Sequence, residues 1–437
     1  MISRTSFLTL IVGLWIGLSA CASSPPPLSP ILAATTTTAV ARVASATPRP
    51  RATATPTRHP NPTSIPDLTE IRLYESLPPA QAEALAEDIQ AFEQAFPQYI
   101  ITLRHYDSPD ALNLGSFDIV LVSPPLLNAL WSKARLAPLS DFFPPSFIDG
   151  FAAPTLEGAR QDDEVWGLAD TAGFHLLLFY NRVLVNTPPN DTEEMFELAQ
   201  NLSGDDRWGL GVNSYDPLWV VPWLVPYDGW LTDETGQPTL DTAAMAAALT
   251  LFQRWQGPNA IAPVFTYDEA RTQFIAGKVG MLIEGEWAID EFSQVDSLDW
   301  GVTLLPVPDD AANSQPPAPL ILARYWAISR TASGNESAAI AAFLEYVTQP
   351  ERQLTWTRRF GLLPTRREAL NDPIIVTNPI LRTSATQMLA GRSLPLGIDA
   401  NMLLDRMRGP LRGLVEGQLT PEEAAQGMQK SINSFGD

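Results

Sequence analysis

The sequence predicts an α/β fold, and three observations carry that reading. First, three short apolar runs are nearly continuous: "FDIVLVS" (Phe117 to Ser123), "FHLLLFYN" (Phe174 to Asn181) and "VGMLIEG" (Val279 to Gly285). Runs of that length suit buried strands, and "FDIVLVS" carries the mark of a strand buried in a parallel sheet. Second, segments with helical spacing separate them, and strands alternating with helices build a sheet with helices packed on it. Third, of the 437 residues, 371 lie from Asp67 onward, ample length for two domains.

The chain begins with a segment outside that fold. Arg4 precedes a nearly unbroken apolar run, Phe7 to Leu18. A membrane span needs roughly 20 residues, so this run fits the apolar core of a secretory signal peptide better. Leu18-Ser19-Ala20-Cys21 follows and resembles the bacterial lipobox. In such precursors the cysteine thiol takes a diacylglyceryl group and the signal, here residues 1–20, is cut away before it. Cys21 is the one cysteine in the chain, so it cannot close an internal disulfide. The plainer reading is an ordinary secretory signal with an incidental cysteine. Of the 45 residues from 22 to 66, 33 are Pro, Thr, Ala or Ser. They carry too little apolar bulk to offset the entropy of ordering. Residues 21–66 therefore read as a lipidated cysteine followed by a disordered tether with a reach of roughly 40 Å.

Charge narrows the function. No acidic residue occurs before Asp67, whereas five of the 28 basic residues do, so the remainder carries a net charge of −26. That balance argues against nucleic acid and anionic lipid as partners. Three histidines and one cysteine without ligand spacing make a structural metal site improbable. No P-loop, nucleophile elbow or other cofactor or catalytic motif is present; the expectation is a non-enzyme without a cofactor.

Along the globular part, "EIRLYES" (Glu70 to Ser76) alternates as a strand does. Leu85, Ile89, Phe92 and Phe96 then recur on one helical face, and Pro97 stops it. "YIITLRHY" (Tyr99 to Tyr106) is β-rich. Thr192 to Leu202 has helical spacing. Thr266 with Glu269 forms a capping box, and Gly277 ends that helix. Ile340, Phe343, Leu344 and Val347 mark another helix face. Thr420-Pro421-Glu422-Glu423 opens the last helix.

The order of these pieces resembles the extracellular solute-binding proteins of ABC importers, in the branch that includes maltose- and glycerol-3-phosphate-binding proteins. The likeness rests on "LAEDIQAFEQAFPQYIITL", "FDIVLVSPPLLNALWSKARLAPLSDFF", "VWGLADTAGFHLLLFYNRVLV", "LTDETGQPTLDTAAMAAALTLFQRW", "TYDEARTQFIAGKVGMLIEGEWAI" and "YWAISRTASGNESAAIAAFLEYVTQPERQ", with "GLLPTRREA" after them. It implies two α/β lobes joined by hinge crossings, with the ligand in the cleft between. Lobe 1 would be 67–174 and 328–376, and lobe 2 would be 175–327 and 377–437. A ligand touching both lobes only when they close would shift the population toward closure.

Candidate cleft residues follow. Sugars are held by aromatic faces and by hydrogen bonds, and Trp287 in "EGEWAI" falls where the family has a strand-to-helix turn facing the cleft. Trp219 aligns with an aromatic stacking position; packing among prolines is its plainer reading, and more so for Trp223 and Trp230. Glu75, Ser76 and Ser123 follow strands at their C-terminal ends, where open α/β sheets bind ligands; turn capping is the alternative for all three. Arg324 and Tyr325 replace a glycine-rich cleft segment of the family. Asp170 and His175 flank the suspected hinge, and a lone histidine there reads as a satisfied structural group. Val122, Pro124, Pro125 and Leu404 stand where maltodextrin binders carry an Asp and aromatics, which weakens maltodextrin as the ligand.

The resemblance implies a monomeric receptor that takes a sugar or sugar derivative, docks on ABC permease subunits and is held by lipid to the outer face of the bacterial cytoplasmic membrane. A tethered solute sensor or adhesin with the same fold is the alternative. A cell-surface glycan hydrolase is a third: Glu284 with Glu286, or Asp162 with Asp163, could be offered as paired acids, yet Glu286 lies past Gly285 in a turn.

Overall fold

The computed structural model describes residues 68–108, 110, 116–256, 261–313 and 315–434. The signal, Cys21 and the tether lie outside the described residues. Leu68 to Asp437 forms one compact unit.

Twelve strands run β1 (Thr69–Glu75), β2 (Tyr99–His105), β3 (Ile119–Val122), β4 (Arg160–Gln161), β5 (Glu164–Val165), β6 (Leu168–Gly173), β7 (Leu176–Asn181), β8 (Trp208–Gly211), β9 (Val279–Gly285), β10 (Trp300–Thr303), β11 (Leu322–Ile328) and β12 (Leu363–Pro364) among the described residues. One sheet has the order β12-β6-β11-β3-β1-β2 and a second has β10-β7-β9-β8. In the first, β1 lies parallel to β2 and β3, while β11 is antiparallel to β3 and β6. In the second, β9 pairs parallel with β8 and antiparallel with β7. Both sheets are therefore mixed. Continuous burial, which the apolar runs foretell, constrains direction less than it constrains position: β3 and β9 are buried at every residue yet have one neighbour of each sense.

The cores follow the sheets. Ile71, Leu73, Ile119, Val120 and Trp326 share one apolar cluster with Phe92 and Phe343 of the flanking helices Pro79–Ala95 and Asn335–Val347. Leu176, Leu178, Met281 and Ile283 share another with Trp219, Trp223 and Trp255, and a third gathers Phe179, Phe274, Leu282 and Phe292. Both capping boxes form, at Thr266 with Glu269 and at Thr420 with Glu423, and Gly277 takes a φ of +71° just past its helix. Asp191 caps the helix Thr192–Leu202 by accepting from Glu194 N.

One departure matters. The run "FHLLLFYN" enters its strand only at Leu176, because Phe174 has φ +66° and turns the chain from one sheet toward the other.

A buried charge cluster fixes the middle of the first sheet. Asp170 accepts from Arg324 Nε at 2.8 Å and from Trp326 Nε1 at 3.1 Å. Arg324 Nη1 also donates to Gln81 at 2.8 Å, reaching the helix Pro79–Ala95. The Arg324 and Asp170 side chains keep 10% and 12% exposure. Removing Asp170 leaves the Arg324 charge nearly buried with only the Gln81 amide as a hydrogen-bond partner. Asp170→Ala is expected to lower stability by about 3 kcal/mol in urea denaturation; a loss below ~1 kcal/mol would place this pair among solvent-screened ion pairs instead.

Candidate functional site

Two chain crossings join the sheets. The first is two residues long, Phe174 and His175, between β6 and β7; the second runs from Thr303 to Leu322 between β10 and β11. The helix Pro379–Ala390 is tied to both. Its Ser384 Oγ lies 2.8 Å from His175 Nε2. Its Gln387 accepts from Leu305 N at 2.8 Å and donates to Pro317 O at 2.8 Å. All three polar side chains are buried, and a buried polar group left unmatched costs about 1–3 kcal/mol, so these bonds fix the crossings.

An aromatic wall stands at the first crossing. Trp287 occupies the turn after β9, and its ring centroid is 5.0 Å from that of Phe174. Trp287 Nε1 donates to Tyr267 Oη at 2.9 Å, and Tyr267 in turn packs edge-on to Trp219 at 6.0 Å. A Cβ on Gly285 would lie 2.2 Å from Trp287 ring carbons, so the indole folds back over a backbone that only glycine leaves open. Trp287, Phe174 and Tyr267 are half-buried.

Beside the wall lies an open groove lined among others by Pro124, Asn128, Leu322, Tyr325, Ser393 and Asn401. Leu322 pairs across the sheet with Gly173, which immediately precedes Phe174. The groove mixes apolar surface with a few amides and hydroxyls, as small-molecule sites do.

The residues singled out in the sequence fall into three places. Trp287 is in the wall. Trp219 supports it from beneath: it keeps 3% exposure, and its Nε1 donates to Ile283 O at 2.7 Å. Tyr325 lines the groove while its hydroxyl donates to Thr155 O at 2.9 Å; burial pushes that phenol well above its usual range. Arg324 is held by Asp170 and Gln81. Glu75, Ser76 and Ser123 lie at the strand ends of the first sheet. Glu75 is buried and meets His105 Nδ1 at 3.1 Å, whereas Ser76 and Ser123 are exposed. Phe174 and Glu286 are the additions. A signal for them was present: glycine and histidine interrupt "AGFHLLLFYN", and glycine at a strand end marks a close backbone approach.

The two carboxyls after β9 are not ordinary. Glu284 keeps 1% exposure, and burial pushes it up to about 8. Glu286 is pushed up to about 7 by burial, although its side chain keeps 23% exposure; the dependence of stability on pH below therefore rests on Glu284. Sealed from solvent, Glu284 does not reach a glycosidic bond. No group of three or more His, Cys, Asp or Glu among the described residues could hold a metal ion, and no described helix is long and apolar enough to cross a membrane.

A family model of bacterial extracellular solute-binding proteins matches residues 88–383, more than half of the chain. The chain belongs to that family. One curated relative of this solute-binding protein is the maltotriose-binding protein of Pyrococcus abyssi (strain GE5 / Orsay), 23% identical over 252 residues, covering 56% of this chain and 54% of that protein. The chain thus spans about half the length of the curated relative it matches. Among solved structures, the cyclo/maltodextrin-binding protein complexed with maltotetraose matches with a TM-score of 0.75 at 18% identity, over 85% of this chain and 98% of that one. The maltose/maltodextrin-binding domain from Bdellovibrio bacteriovorus, bound to maltotriose, matches with 0.64 at 22% identity, over 84% of this chain and 100% of that one. The fold of the solute-binding protein is the two-lobed α/β fold of these structures.

Two measurements test the site as built. Trp219→Ala should cost about 3–5 kcal/mol of stability, the penalty for emptying a core indole, while half-buried Trp287→Ala should cost clearly less; equal losses would contradict the division between support and wall. The folded protein holds the Glu284 proton up to about pH 8, whereas the unfolded chain releases it near the ordinary 4.5. Stability therefore falls as pH rises through that window. Above pH 7 the slope belongs to Glu284, and Glu284→Gln should flatten it in melts between pH 7 and 8; an unchanged slope would show that the carboxyl is already ionised there.

Proposed function

We propose that this protein is a membrane-anchored receptor that captures a carbohydrate from outside the cell and hands it to the permease of an ABC importer. The aromatic wall at the first crossing carries the reading. Partly exposed indole and phenyl rings are what the C–H surface of a sugar ring packs against, and the adjacent groove offers the side-chain amides of Asn128 and Asn401 for its hydroxyl groups. Membership of the solute-binding family supports capture over catalysis, and the binding of maltotriose and maltotetraose by structural relatives supports a linear glucose oligosaccharide as the first ligand to try.

In this reading lobe 1 is 67–174 with 322–376 and lobe 2 is 175–321 with 377–437; the boundary expected at 327/328 moves to Leu322 because β11 lies in the first sheet, between β6 and β3. Trp287 and Phe174 stack on the sugar, and Tyr325 forms the groove floor. The exposed Ser76 and Ser123 offer hydrogen bonds from the first sheet, whereas Glu75 is buried with both oxygens engaged, by Leu77 N and His105, and caps the turn instead; Trp219 braces the wall. Arg324, already paired, would tune the field at the cleft and leave direct ligation to others. The signal, residues 1–20, is removed, Cys21 carries the lipid, and residues 22–66 hold the monomeric receptor off the membrane. A sensor without an importer uses the same parts; loss of uptake on deleting the gene distinguishes the two.

Binding at a ligand concentration of 100 Kd stabilises a protein by about 2.7 kcal/mol. Maltotriose and maltotetraose are therefore expected to raise the melting temperature in proportion to the logarithm of their concentration, with the effect lost in Trp287→Ala. No shift with any mono- or oligosaccharide, from a sample with a cooperative melt, would reject a carbohydrate ligand. Separately, Cys21→Ser should release the protein from membranes during growth; retention and normal processing of that variant would reject the lipid anchor.

A further inference from the structure

Glu286 does more at the first crossing than occupy a turn. Its backbone N donates to His175 O at 3.0 Å, and its Oε1 accepts from Phe174 N at 2.9 Å. Main chain and side chain of one residue therefore grip both residues of the crossing. The next residue along on one side is Trp287, and the gripped residue on the other is Phe174, so the grip and the aromatic wall are one structure. Gly173 leaves room for it: a Cβ there would meet Glu286 Oε1 at 2.3 Å. Phe174 also needs a restraint, since a bulky residue at φ +66° is strained.

The second half of the contact is incomplete. Glu286 Oε2 and His175 Nδ1 are both buried with no hydrogen-bond partner. They face each other at 4.0 Å, beyond hydrogen-bond reach. His175 Nε2 touches Ser384 Oγ, a hydroxyl that donates or accepts with equal ease. We propose that Glu286 is a positioning residue for the saccharide wall, and that the hydrogen-bonding state of its Oε2 against His175 Nδ1 sets how Phe174 and Trp287 are presented.

Closing that 4.0 Å gap to hydrogen-bond distance would satisfy every atom in either of two arrangements. With a protonated Glu286, Oε2–H donates to Nδ1, and Nε2–H donates to Ser384 Oγ. With an ionised Glu286, Nδ1–H donates to Oε2, and the Ser384 hydroxyl turns to donate to Nε2. Each arrangement needs its own histidine tautomer and its own hydroxyl direction on the helix Pro379–Ala390. The surroundings allow the change near neutrality. Burial keeps His175 neutral, pushing it down to about 3, and pushes Glu286 up to about 7. Glu284 on β9 is the titratable neighbour on which Glu286 acts, itself held neutral by burial up to about pH 8, and Arg271, on the helix Tyr267–Ile275, also acts on Glu284. The ligand part of this inference rests on the proposed saccharide site; the wall itself can be read without ligand.

The test follows both readouts from pH 5.5 to 8.5 in the lipid-free secreted form and its Glu286→Gln variant. The carboxamide can still accept from Phe174 N and can donate permanently to His175 Nδ1, so it mimics the protonated arrangement. In wild type without ligand, the near-UV circular dichroism of the wall should change with a midpoint near pH 7, and in Glu286→Gln it should stay flat. Maltotriose affinity by calorimetry should follow the same midpoint in wild type and lose its pH dependence in the variant. Glu286→Ala should weaken binding about tenfold at every pH. A flat wild-type spectrum, or a Glu286→Gln profile that still titrates as wild type does, overturns the inference. Failure of maltotriose to bind either form, with the spectral change intact, counts against the saccharide site and leaves the positioning role standing.

Discussion

The short crossing Gly173–Phe174–His175 is the constraint on which the rest of the molecule depends. A two-residue connection between sheets has no slack, so whatever it does is transmitted to both. The sequence meets this with a glycine for clearance, a strained Phe174 to turn the chain, and a carboxylate from a distant turn to hold the result. Glu286 lies 112 residues from Phe174 along the chain, so the crossing becomes defined only when β9 is in register beside β7. Formation of the second sheet and formation of the aromatic wall are therefore one event. A site built this way is preorganised by the fold itself, and little ordering is left to oppose binding.

Much of the scaffold was legible in the sequence. The three apolar runs became β3, β7 and β9, and the capping boxes at Thr266 and Thr420 opened helices as their chemistry requires. Local rules reach such elements because their determinants are neighbours in sequence. Trp287 was named through the family resemblance, which implies a strand-to-helix turn there, and the structure has that turn between β9 and the helix Ala288–Ser293. The partners of Arg324 were not legible. Asp170 is 154 residues away and Gln81 is 243 away, and no periodicity links them. Glu286 was read as a turn residue for the same reason. His175, expected to be satisfied, is satisfied on one ring nitrogen only, a fact that depends on the position of a helix two hundred residues later.

The electrostatics of the site run against those of the whole chain. From Asp67 onward the protein carries a net charge of −26, yet the two carboxyls after β9 are held toward their neutral forms by burial. Stability is given up for this, since an ionised carboxyl in water would be more comfortable than a neutral one enclosed by indole rings. What is gained is a wall with little charge of its own. A neutral ligand can then approach aromatic faces without first displacing a tightly held shell of water and counter-ions.

The helix Pro379–Ala390 has a mechanical consequence. Two strands crossing between lobes act as a pair of flexible straps, and straps allow twist and shear as well as closure. Fastening one strap through Ser384 and the other through Gln387, three residues apart on the same rod, couples their bending. In the proposed lobe division the chain passes a third time between lobes at 376–377, just ahead of this helix, so all three passages would meet at one rod and share rotation about it. A machine with one degree of freedom reports one quantity, the angle of its jaws. Any protein that reads the state of this receptor from outside then needs to sense only that angle, without inspecting the contents of the cleft.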